Sequence, residues 1–120
     1  MSLLNRILNA ITMPTPHTHP ILPPPEFAGA QIAYQSEGRS GSVIFAHAGT
    51  RFSMYYEFAG GNALAIIDIP TVKNWTARTG LPLHTRDPLL RFIAATVAHD
   101  QTTDHTGTYT ISANAITIYP

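Results

Sequence analysis

Between residues 51 and 69 the chain carries two strand-type runs of different character, separated by the turn residues Gly60, Gly61 and Asn62. In the first run Phe52, Met54, Tyr56 and Phe58 alternate with Arg51, Ser53, Tyr55 and Glu57, the period-2 pattern of a strand with one buried and one wetter face. In the second run, residues 63–69, both parities are apolar apart from Asp68, which predicts a strand covered on both faces. Upstream, Ile32 and Tyr34 alternate with Ala33 and Gln35, and Val43-Ile44-Phe45 follows a loop holding Gly38 and Gly41. His47 and Tyr55 are expected to neighbour one another across the next hairpin. The connections are too short for parallel crossovers, so the four strands are predicted to form an antiparallel meander.

After Pro70 the period changes. Residues 72–79 read as a short helix, with Thr71 placed to cap it and Gly80 to stop it. Asp87-Pro88 is a helix-start signature, a capping carboxylate followed by proline at the first helical position. Leu89, Leu90, Ile93, Ala94 and Val97 then form the stripe of the main packing helix, which ends near Asp100. Residues 107–112 and 115–119 are expected to close the chain as a hairpin around Ala113 and Asn114.

At the other end, Leu3, Leu4, Ile7, Leu8 and Ile11 mark one face of an amphipathic helix over residues 1–13. A Pro-rich tether over 14–26 follows, and residues 27–120 are expected to form a single domain. The element order is αββββααββ. Uninterrupted strands followed by helices indicate an α+β fold, an antiparallel sheet of about six strands with helices packed on one face.

Composition narrows the functional classes. Only 12% of residues are charged, against about a quarter in ordinary soluble domains. A surface of such low charge density associates readily, and a homo-oligomer or a protein partner is expected. Seven basic residues balance seven acidic ones without a basic stripe, so no nucleic acid partner is expected. Cysteine is absent, which removes thiolate metal sites and thiol nucleophiles. No run reaches the roughly 18 apolar residues of a membrane span, and residues 1–13 make a poor secretory signal. The expected location is cytoplasmic, with no membrane partner.

Several polar residues are candidates for binding. His99 and Asp100, with Asp104 and His105, bring imidazoles and carboxylates near the end of the main helix, a combination able to hold a divalent ion or to exchange protons. Helix-end histidines and Asp-rich loops are also ordinary structural features. Asp68 interrupts an apolar strand, and a carboxylate there must be paired or must reach water. It is read as a pocket acid, as a solvated strand end, or as a partner for Arg86 or Arg78. Arg51, Tyr55 and Glu57 share one strand face, as a binding patch or as a plain exposed charge pair. His17 and His19 stand among prolines without the three or four convergent ligands that zinc needs, so no metal and no cofactor is expected. No Ser sits in a Gly-x-Ser-x-Gly elbow, and no glycine-rich loop opens a helix. The expected function is therefore a small non-enzymatic binding or scaffold domain. The alternative is a small-ligand or metal-assisted hydrolase-like pocket between the sheet and the main helix.

Overall fold

The computed structural model describes residues 21–120, so the predicted N-terminal helix and the tether up to residue 20 lie outside the described residues. The predicted meander is present as β1 (Gln31–Glu37), β2 (Ser40–His47), β3 (Thr50–Phe58) and β4 (Ala65–Asp68). Two helices follow, α1 (Trp75–Thr79) and α2 (Arg86–Asp100), and the hairpin of β5 (Thr108–Ile111) and β6 (Ala115–Tyr119) ends the chain. Every neighbouring pair is antiparallel, in the order β1-β2-β3-β4-β6-β5. The last strand thus enters between β4 and β5, leaving β1 and β5 as the two edges.

Alternation along the strands places Val43, Phe45, Phe52, Met54, Tyr56, Ile67, Ile116 and Ile118 on one face, all buried. Leu89, Leu90, Ile93 and Val97 of α2 and Trp75 of α1 cover that face. Phe27, Phe45, Phe52 and Trp75 make a continuous row of ring contacts, with successive centroids 5.8, 5.1 and 5.7 Å apart. Aromatic pairs in such geometry each stabilise by about 0.5–1.5 kcal/mol beyond simple burial. The row anchors the residues preceding β1, where Pro25–Phe27 form a 3-10 turn and Ile21 packs against the core.

Three local expectations need correction. Strand β4 is covered on one face only: Ala65 and Ile67 are buried while Ile66 and Asp68 are exposed. Its second apolar parity therefore has no covering layer among the described residues. The main helix starts at Arg86, one residue before the predicted cap, because a 3-10 turn at Leu83–Thr85 leads straight into it. Pro88 is tolerated one turn in, where backbone N–H groups have no intrahelical partner to lose. Neither helix has a side-chain cap; the Thr85 hydroxyl instead donates to Pro82 O and accepts from Trp75 Nε1. Finally, His47 opposes Thr50 and Tyr55 opposes Ser42, so the predicted His47–Tyr55 neighbours are apart, and His47 packs edge-on against Phe27.

Gly80 does end α1 as predicted, at φ +77°, the left-handed position that disfavours a Cβ. Among the described residues no helix is long and apolar enough to cross a membrane.

Candidate functional site

With α1 and α2 on one side, the opposite face of the sheet is uncovered among the described residues. It presents the odd-numbered residues of β3, namely Arg51, Ser53, Tyr55 and Glu57, all exposed. The registers fix what stands beside them. Ile44 opposes Ser53, Ser42 opposes Tyr55, Glu57 opposes Ile66, and Ile66 opposes Thr117. Ile44, Tyr55 and Ile66 are therefore each one strand over and two residues along from the last, a diagonal apolar stripe across β2, β3 and β4. Tyr55 is 49% and Ile66 42% exposed. Large apolar side chains so exposed on interior strands of a sheet form a patch, which is a different matter from an isolated surface leucine.

The stripe has neutral flanks of Ala33, Ser42, Ser53, Ala115 and Thr117. Arg51 stands towards the Ile44 end, Glu57 lies directly opposite Ile66 with Glu37 two strands beyond it, and Asp68 follows Ile66 on the same face of β4. The predicted grouping of Arg51, Tyr55 and Glu57 is thus real as a shared face. Asp68 joins that face at the end of β4, where its carboxylate is solvated, and among the described residues it pairs with neither Arg86 nor a histidine.

The histidine cluster lies on the helix side of the sheet. His99 and His105 stack almost in parallel, centroids 4.0 Å apart at 9°. His105 Nδ1 lies 2.7 Å from the His99 carbonyl, and His99 Nδ1 lies 3.4 Å from Asp100 Oδ1. The loop reaches this arrangement through two successive left-handed residues, Asp104 at φ +58° and His105 at φ +57°. Asp104 itself is exposed. Among the described residues no three or more His, Asp or Glu side chains gather to hold a metal ion.

Next to this cluster, Tyr34 on β1 donates to Asp100 Oδ2 at 2.7 Å. Burial, then the hydrogen bond to Asp100 and its negative charge, hold the Tyr34 hydroxyl well above the usual phenol range. Tyr34 also lines a cavity of about 50 Å³ together with Val43, Tyr56, Leu64, Val97 and Gln101. That is room for a few waters, whereas ligand pockets run from about 300 Å³ upward. The Tyr56 hydroxyl in its wall is already bonded to Ser36 Oγ at 2.6 Å.

Arg86 is placed by α2 beneath the β5–β6 turn and is only 6% exposed. Its Nε and Nη2 both donate to Pro70 O, and Nη2 also donates to Ala113 O, at 3.0–3.1 Å. Nη1 points to Asp87 Oδ1 at 3.4 Å. The guanidinium ties the chain after β4 to the closing hairpin. It also forms one end of an open groove of about 630 Å³ between α2 and edge strand β5, lined by Leu90, Arg91, Tyr109 and Ile111.

The structure therefore separates the predicted residues into three places: the open face (Arg51, Tyr55, Glu57, Asp68), the end of α2 (His99, Asp104, His105) and the base of α2 (Arg86). Sequence reasoning missed Tyr34, Ile44 and Ile66 as site residues. The apolar second parity of β4 was a signal for Ile66, since it marks a strand that wants cover on both sides. Comparison of the chain with protein-family models, with characterised proteins and with solved structures finds no match.

Proposed function

We propose that this chain is a non-enzymatic self-association module whose open sheet face binds a second copy. The observation that carries the reading is Ile66, an apolar residue on an interior strand, 42% exposed at the end of the stripe it forms with Tyr55 and Ile44. Aromatic and aliphatic side chains form the stripe, as at an interface core, and carboxylates stand at its Ile66 end, Glu57 directly opposite Ile66 and Asp68 two residues along β4. The low charge of the whole chain acts in the same direction. Sedimentation analysis of the full chain across a concentration series tests it. Wild-type protein is expected to dimerise, and Ile66→Glu, which sets a carboxylate in the stripe, is expected to be monomeric with an unchanged fold by circular dichroism. A wild-type chain that stays monomeric at high concentration overturns the proposal.

A second reading, a small-anion site in the groove between α2 and β5, has in its favour Arg91 in the groove lining, which also holds Asp87 and the Arg86 guanidinium already bonded to Pro70 O and Ala113 O. Thermal-shift measurements with small carboxylates and phosphates test it, with Arg91→Ala as the control; no shift for any anion removes this reading.

A further inference from the structure

We infer that what the second copy lays on the open face is its own N-terminal segment, residues 2–12, docked as an amphipathic helix along the Ile44–Tyr55–Ile66 diagonal and exchanged reciprocally between two chains. The inference rests on the open-face reading above and names the element that fills it.

The first argument is the mutual need for cover. Leu3, Leu4, Ile7, Leu8 and Ile11 make a continuous apolar stripe, and a helix of this length is marginal in water unless that stripe is buried. On the helix side of the sheet, α1, α2, Ile21 and Phe27 already pack against the core. The open face carries an apolar stripe that nothing covers among the described residues.

The second argument is length. Each step of the diagonal crosses one strand, about 4.8 Å, and advances two residues, about 6.8 Å, so its two steps span roughly 17 Å. Eleven residues of α-helix are about 16 Å long.

Charge supplies the third. Residues 1–25 contain no Asp or Glu, and the cations there are Arg6 and, where Met1 begins the chain, the terminal amine. On the open face Glu37, Glu57 and Asp68 outnumber Arg51. Opposite signs at the rim of an apolar contact steer docking and fix its direction.

The spacer decides between a chain's own face and its partner's. Ile21 is packed on the helix side of its own sheet, and Pro14, Pro16 and Pro20 stand in the short stretch between it and the stripe. Such a composition favours an extended polyproline conformation rising about 3.1 Å per residue, roughly 25 Å over eight residues. An extended spacer carries the helix away from its own domain, whereas reaching its own open face needs a sharp reversal around the β1 edge. Reciprocal exchange makes the contact isologous and buries two helices per dimer.

The test uses two full-length variants, Leu4→Glu/Leu8→Glu, which spoils the segment and spares the face, and Ile66→Glu, which does the opposite. Each alone is expected to raise the dimer dissociation constant by about thirtyfold or more, the loss typical of a central interface residue. An equimolar mixture is expected to form a heterodimer by sedimentation and by native mass spectrometry, because one intact segment meets one intact face. Ile66→Ser serves as a milder partner in the mixture if Ile66→Glu melts early. If Leu4→Glu/Leu8→Glu dimerises like wild type while Ile66→Glu does not, the segment is excluded and the open-face reading stands. If the variants fail to complement, or if wild type is a monomer whose melting temperature the Leu4→Glu/Leu8→Glu change lowers, exchange is overturned.

Discussion

Tyr34 Oη donates to Asp100 Oδ2 over 2.7 Å, joining edge strand β1 to the last turn of α2 across 66 residues of sequence. Burial and the neighbouring carboxylate both disfavour the phenolate, so the folded-state pKa lies above the ordinary phenol value. A group whose folded pKa is raised adds stability that is complete below its unfolded pKa, about 10 for tyrosine, and is lost as pH climbs from there through the folded value. The expected outcome is a melting temperature that falls more steeply above about pH 10 in wild type than in Tyr34→Phe. Parallel alkaline slopes for the two proteins would show that the pair does not contribute.

Arg86 is the second long-range tie, and its partners are carbonyl oxygens rather than a carboxylate. Removing it leaves Pro70 O and Ala113 O without their donor and opens space under the closing hairpin. Arg86→Ala is expected to cost about 2–4 kcal/mol in urea unfolding, combining lost charge-assisted hydrogen bonds with a cavity. Arg86→Lys is expected to recover less than half of that, since an ammonium cannot reproduce the planar fork that reaches both carbonyls. Full recovery by lysine would assign the effect to charge alone.

What sequence pattern disclosed was local. The alternation in β3 and the stripe of α2 were readable because each element shows one face to the same core, and Gly80 because a left-handed helix end has a residue preference of its own. The start of α2 lies two residues before the predicted one, at Arg86 instead of Pro88, and the Thr85 hydroxyl that precedes it is held by Trp75 and Pro82, a tertiary demand that competes with capping. The two-sided apolar pattern of β4 predicts cover on both faces, and the structure shows cover on one, because α1 and α2 both pack on the side of Ala65 and Ile67 and leave Ile66 exposed among the described residues. Convergence was beyond reach: nothing in residues 31–36 announces that Tyr34 meets Asp100, and nothing near Asp68 says that the histidines lie on the other side of the sheet.

Gly41 sits inside β2, where the sequence reads as loop. A Cβ built there collides with the Gln35 carbonyl and comes within 2.9 Å of the Tyr56 ring. The glycine is needed for the close approach of Tyr56, whose hydroxyl goes on to meet Ser36. Gly41→Ala is therefore expected to destabilise by about 1–3 kcal/mol, as overpacking does, despite alanine's lower unfolded-state entropy. In the Tyr56→Phe background the ring still blocks the Cβ, so the penalty is expected to persist; in Tyr56→Ala it is expected to fall, leaving the backbone clash.

Trp75 is wholly buried and gives its indole N–H to Thr85 Oγ1 at 3.1 Å, with Pro82 O at 3.2 Å as a second acceptor. Thr85 is 1% exposed and donates its own hydroxyl to Pro82 O at 2.6 Å, so the three groups form a closed ring of hydrogen bonds where α1 meets the start of α2. Thr85→Val keeps the shape and removes one donor and one acceptor, leaving Pro82 O still contacted by the indole. Its cost is expected to be about 1–2 kcal/mol, the range for a buried hydrogen bond with partial compensation. Trp75→Phe removes the other end and should cost more, because ring volume is lost as well. If the ring acts as a unit, Thr85→Val costs less in the Trp75→Phe background than in wild type, with a coupling of about 0.5–1.5 kcal/mol. Chemical denaturation of the four proteins measures it, and additive losses would mean that Thr85 holds the 3-10 turn through Pro82 and the tryptophan fills space without needing its nitrogen.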